Sequence, residues 1–177
     1  KGGKDEVDAG AGNDTVKAGG GNDTVEGGSG NESIEGGNGK DKLDGDSGND
    51  SIFGGANGDT INGGTGDDSI VGNSAGDTFV FDEENGNDTI GDFQTGTDQI
   101  DLSSLGTNKT DVKDNTTNVD TDGVGGNDSA LIDLGLALGT DPAGVNTILV
   151  LGVKKGDLDF GNGDDFMSGG AGGDHID

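Results

Sequence analysis

The chain contains no cysteine, tryptophan or tyrosine, and only one proline. Without cysteine there is no disulfide framework, no thiol nucleophile and no cysteine-bound zinc. Basic residues are scarce too: 9 Lys and Arg stand against 36 Asp and Glu, a formal charge of −27. The basic stripe that nucleic-acid binding requires is absent, so no nucleic-acid partner is expected. Hydrophobic residues make up 26%, and no run approaches the roughly 18 apolar residues of a membrane span, so no transmembrane segment is expected. No signal peptide is expected in residues 1–30, which are glycine and acid without an apolar stretch. A chain this polar and self-repelling buries too little apolar surface to offset the entropy of ordering itself. Unaided, it is expected to be disordered.

What the chain does have is glycine, 41 of 177 residues, and a period. Large apolar residues recur every nine positions, at Val7, Val16, Val25, Ile34, Leu43, Ile52, Ile61, Ile70 and Phe79. Two residues before each stands an acid: Asp5, Asp14, Asp23, Glu32, Asp41, Asp50, Asp59, Asp68 and Asp77. Two before that is usually glycine, with Asn57 and Ala75 as exceptions. The unit reads G-G-x-G-x-D-x-U-x, U being a large apolar residue; Gly63 to Val71 show it most clearly. In x-U-x the central side chain faces one way and its neighbours the other, so a three-residue strand sends one apolar group inward. The six residues before it tolerate positive φ and make a tight turn whose carbonyls can face an ion. An isolated GxGxD is an ordinary solvated turn; nine in register are not.

These repeats closely resemble the RTX (hemolysin-type calcium-binding) nonapeptides of bacterial proteins exported by type I secretion. The resemblance implies an all-β fold, a right-handed parallel β-roll with two nonapeptides per turn and calcium between stacked loops. One acid per loop is too few for a calcium cage of six to eight oxygens, but two stacked loops can supply them jointly. Stacking every second repeat makes two columns. One holds Asp5, Asp23, Asp41, Asp59 and Asp77, and the other holds Asp14, Glu32, Asp50 and Asp68. Expected carbonyl ligands are Gly3, Gly10, Gly12, Gly19, Gly21, Gly28, Gly30, Gly37, Gly39, Gly48, Gly55, Asn57, Gly64 and Gly66. An ion between successive acids gives about seven or more Ca2+, and seven would cut the charge to about −13. Glu32 breaks the aspartate pattern. Its extra methylene is expected to misplace the carboxylate and leave the flanking ions weakest or wettest.

After Phe79 the kernel returns with small insertions, making Asp88 and Asp98 candidate ligands. Residues 87–103 are similar to the segment that closes the array in serralysin-type C-terminal domains. The runs Ala130–Leu134 and Thr147–Leu151 are expected to be strands of a cap over the last turn, because an open solenoid end exposes core and strand edges. Leu131 to Leu138 is further expected to fold back over the outward-facing Phe53 and Val71. The stretch Asn118 to Gly123 matches half of an EF-hand loop but lacks the terminal Glu, its position being Ser129, and reads as a hairpin turn. Two units return at the end, adding Asp165 and Asp174 as candidate ligands. The expected layout is a calcium-binding roll over 1–103, a β-rich cap over 104–159 and a restarted roll over 160–177.

One histidine, no cysteine and a uniform acid lattice offer no nucleophile and base pair, so no enzymatic activity is expected. His175 occupies an outward strand position and reads as solvated. The resemblance implies a module that leaves a Gram-negative cell unfolded through the type I machinery and folds on extracellular calcium, with a large surface adhesin as the preferred parent. The alternatives are a polysaccharide- or ice-binding face, or the non-catalytic end of a secreted protease, lipase or alginate epimerase.

Overall fold

A computed structural model describes residues 2–82, 85–102, 104, 116–119, 129–133, 147–151, 158–159 and 166–169. Each x-U-x triplet from Val7 to Phe79 becomes a strand. Along the chain these are β1 (Glu6–Asp8), β2 (Thr15–Gly20), β3 (Thr24–Glu26), β4 (Ser33–Asn38), β5 (Lys42–Asp44) and β6 (Ser51–Ala56). They continue as β7 (Thr60–Asn62), β8 (Ser69–Ser74), β9 (Thr78–Val80), β10 (Asn87–Ile90) and β11 (Gln99–Asp101). Odd strands form one parallel ladder and even strands another, each in 18-residue register up to β9, as in Val25 beside Leu43 and Ile34 beside Ile52. The result is a parallel β-roll, two repeats per turn.

Alternation along the strand puts every U side chain between the two sheets. From Val16 through Phe79 all are buried, and Phe81, Ile90, Phe93, Ile100 and Leu102 extend the same core beyond the regular repeats. The insertions after Phe79 are absorbed in loops, because Ile90 still pairs with Ile70 and Ile100 with Phe79.

The roll does not end as a bare edge. In the even sheet, β12 (Thr116–Val119), β13 (Ser129–Asp133) and β14 (Thr147–Val150) follow β10. Strand β14 is parallel to β10, and β13 and β12 add antiparallel. In the odd sheet, β15 (Leu158–Asp159) and β16 (Phe166–Gly169) complete the order, with β16 antiparallel to β11. The apolar runs thus add to the sheet edge-on, and Ala130, Ile132, Ile148 and Val150 continue the core. Among the described residues, no helix is long and apolar enough to cross a membrane.

Among the described residues no fold-back over Phe53 forms. Strand β13 lies in the plane of the even sheet, separated from β6 by β14, β10 and β8, and Phe53 is 42% exposed. The physical reason is that an unpaired parallel edge on β10 offers a full ladder of backbone hydrogen bonds, which the outer face of a finished sheet cannot. Residues 134–138 lie outside the described ones.

Candidate metal sites between stacked loops

The loops are shaped by the second and fourth positions of the repeat. From Gly3 to Ala75 every residue at these positions has positive φ, including the non-glycines Asp46 (67°), Asn57 (79°), Asn73 (73°) and Ala75 (91°). Space enforces glycine as strongly as φ does. A Cβ on Gly48 would stand 1.4 Å from the Gly30 carbonyl oxygen, and one on Gly28 would stand 1.9 Å from that of Gly10. Each loop therefore rests its backbone on the carbonyls of the loop one turn earlier.

The acids are held across turns. The amide of Asp23 donates to Asp41 Oδ1 at 2.8 Å, Asp41 to Asp59 at 2.9 Å and Asp59 to Asp77 at 2.8 Å. The other column repeats this from Glu32 to Asp50 at 2.7 Å, Asp50 to Asp68 at 2.8 Å and Asp68 to Asp88 at 2.9 Å. One oxygen of each carboxylate is thereby fixed, and the other is left over. The Oδ2 atoms of Asp14, Asp23, Asp41, Asp50, Asp59, Asp68, Asp77 and Asp88, with both oxygens of Glu32, are buried and have no hydrogen-bond partner. Buried carboxylate oxygens are ordinarily satisfied, so a file of unsatisfied ones calls for a cation.

Carbonyls complete the donor set. Those of Gly12, Gly21, Gly30 and Gly48 accept none of the inter-turn backbone bonds, whereas Gly10 accepts the amide of Ser29, and Gly28 accepts both the amide and the hydroxyl of Ser47. No three acidic side chains converge among the described residues. Two carboxylates and several neutral carbonyls are a hard-oxygen set that suits calcium better than a small, octahedral ion.

Burial away from water pushes these carboxyls up. Asp68 and Asp77 rise to about 6, Asp59 to about 7 and Asp88 to about 8, against the partial compensation of the inter-turn amide. Glu32, Asp41, Asp50 and Asp98 rise for the same first cause. Such groups resist being charged unless a positive ion joins them.

Asp98 differs from the rest. Its Oδ1 accepts the Asp77 amide at 3.0 Å and its Oδ2 the Gln94 amide at 2.8 Å, so both oxygens are occupied. Nearby, the Asp92 carboxylate takes the amides of Gly72 and Asn73 at 2.9 and 2.8 Å, and Gln94 Nε2 donates to the Asn73 carbonyl. Asp92 and Gln94 thus bind groups that a further turn would bind. They do not follow the nine-residue period; the only signal for them lay in the closing segment itself. Asp165, Asp174, His175 and the loop residues 120–123 lie outside the described residues.

A parallel roll whose stacked loops line up buried carboxylates and free carbonyls is a calcium-binding repeat architecture. The profile of the RTX calcium-binding nonapeptide repeat matches residues 1–31, 26–61, 53–90 and 161–177, more than half of the chain, and the chain belongs to this family. Comparison with curated proteins gives no match.

Proposed function

We propose that the chain is a non-catalytic folding module of a larger secreted bacterial protein, exported unfolded by a type I system of a Gram-negative cell and folded outside by calcium. The file of buried, unpartnered carboxylate oxygens carries this reading. In a chain of charge −27 these oxygens oppose folding until ions join them, so binding and folding are one event. One ion between successive acids, from Asp5 to Asp77 and from Asp14 to Asp88, gives about eight. Extracellular calcium modules bind at roughly 10⁻⁴–10⁻³ M, which separates the cytosol from the outside. A surface adhesin is the parent this favours, since the module would lend length and rigidity rather than chemistry.

Circular dichroism tests the reading. The chelated protein should be a coil that becomes β-rich at millimolar calcium and much less so at equal magnesium. A chelated sample with its full β signal would refute it.

A second reading has one observation behind it. Lys4, Lys40 and Lys42 form no ion pair among the described residues and line one groove of about 540 Å³ with Thr24, Thr60 and Thr78 and with the column acids Asp23, Asp41 and Asp59. Once calcium holds those acids, the cationic and hydroxyl groups of the groove suit an acidic polysaccharide. Retention on a uronic-acid polymer that survives Lys40→Ala with Lys42→Ala would remove that reading. On the other sheet the row Lys17, Glu35, Phe53, Val71 is too irregular for an ice-matching plane.

A further inference from the structure

We propose that Glu32 is a two-oxygen ligand and makes its own loop the tightest and most calcium-selective position in the molecule. This rests on the loops being calcium sites. Elsewhere the carboxylate lies over the first glycine of its own loop: a Cβ on Gly45 would meet Asp50 Oδ2 at 2.4 Å, and one on Gly63 would meet Asp68 Oδ2 at 2.2 Å. At Glu32 the extra methylene carries the group away. The three atoms nearest a Cβ on Gly27 would be backbone atoms of Asp44 and Gly45, whereas one on Gly30 would meet Glu32 Oε1 at 2.8 Å, beside the Gly12 carbonyl oxygen at 2.2 Å. The carboxylate is displaced, as its length predicts, yet it is dry.

The displacement has a chemical consequence. An aspartate of the column gives one oxygen to an amide and keeps one, but both oxygens of Glu32 are buried without a well-formed hydrogen bond, the Asp14 amide and the Asp50 carboxyl only standing near. Asp14 Oδ2 before it and Asp50 Oδ2 after it are unpartnered as well, so this stretch gathers more free anionic oxygens than any Asp–Asp interval. The loops have not opened to make room. The Asn31 amide still donates to Asn13 Oδ1 at 3.0 Å, and the Asn49 amide to Asn31 Oδ1 at 3.1 Å. Calcium accepts a bidentate carboxylate in its flexible shell of six to eight oxygens, and magnesium, held to a tight octahedron, does not.

Glu32→Asp restores the residue of the other loops, so the roll still forms. Calorimetric calcium titration of the wild-type chain should resolve one or two ions that bind ahead of the others and persist in excess magnesium. Glu32→Asp should weaken that class about tenfold, ligand charge and count being what tune such sites, and should remove its resistance to magnesium. An unchanged or tighter first class in Glu32→Asp would overturn the assignment. A wild-type chain that binds no calcium would instead overturn the underlying reading of the loops.

Discussion

The two columns of loops share a backbone and differ in their side chains. At the fifth position the even loops carry Asn13, Asn31, Asn49, Asp67 and Asn87; the first four side chains each receive the amide of the next turn, and Asn87 Oδ1 accepts the Thr147 hydroxyl. The odd loops carry Lys4, Asn22, Lys40, Gly58 and Gly76 there, with the Lys40 amide to Asn22 Oδ1 as the bond of this kind. Together with the acids, whose bonds run the opposite way, the even column is laced in both directions. The columns also end differently: the odd one closes on Asp98, with both oxygens taken, while the even one ends on Asp88, with Oδ2 still free. Backbone geometry builds the cradle, and side-chain length and closure decide what each cradle holds.

Because the cradle is common to both columns, substitution within it should ignore the difference. Gly39→Ala in the odd column and Gly48→Ala in the even one each place a Cβ within 1.7 and 1.4 Å of a carbonyl oxygen, at φ of 131° and 128°. Strain and overpacking together should cost each variant more than about 3 kcal/mol. Neither should fold at a calcium concentration that folds the parent chain. Normal folding of either one would show that the columns do not share a backbone constraint.

The ends of the columns are where they should part. Asp88→Asn removes a charge from a carboxylate with a free oxygen, and the measured calcium stoichiometry should fall by about one ion. Asp98→Asn alters a group already satisfied by two amides, so the stoichiometry should stay the same. Equal losses would mean that Asp98 is a ligand like the others.

Acid should act through the same carboxyls. Their pKa values are raised in the metal-free fold, so any stability they give it is present below the unfolded value near 3.9 and lost as pH rises through about 6 to 8. Calcium must displace those protons, and the calcium midpoint of folding should therefore be higher at pH 6 than at pH 8. A midpoint independent of pH across that window would contradict the burial of the columns.

The smallest effect concerns Ala75, a Cβ-bearing residue at φ 91° where the odd column otherwise uses glycine or asparagine. Ala75→Gly removes backbone strain of about 1–2 kcal/mol and adds unfolded-chain entropy of roughly 0.4–1 kcal/mol. A net gain of about 0.5 kcal/mol should lower the calcium midpoint slightly. A rise would show that the alanine methyl has a packing role.

The sequence by itself determined the periodic part of this protein. Nine-residue spacing is a local property: alternation sends Val25 or Ile61 inward, glycine admits positive φ, and one acid per loop needs a second loop, so the roll, the core and the columns follow from neighbours in the chain. Even Asp88 and Asp98 were legible as returns of the kernel. Only the tertiary structure decided which oxygen of each acid is spent on the amide of the adjacent turn, that Asp98 spends both, and that Glu32 spends neither. It also decided the ending, with Thr147 reaching Asn87 across 60 residues, β14 parallel, β16 antiparallel and Phe53 uncovered. Those contacts obey no period. They are settled by which strand edges and amides remain unpaired once the repeats have stacked, a competition between distant segments that spacing along the chain does not encode.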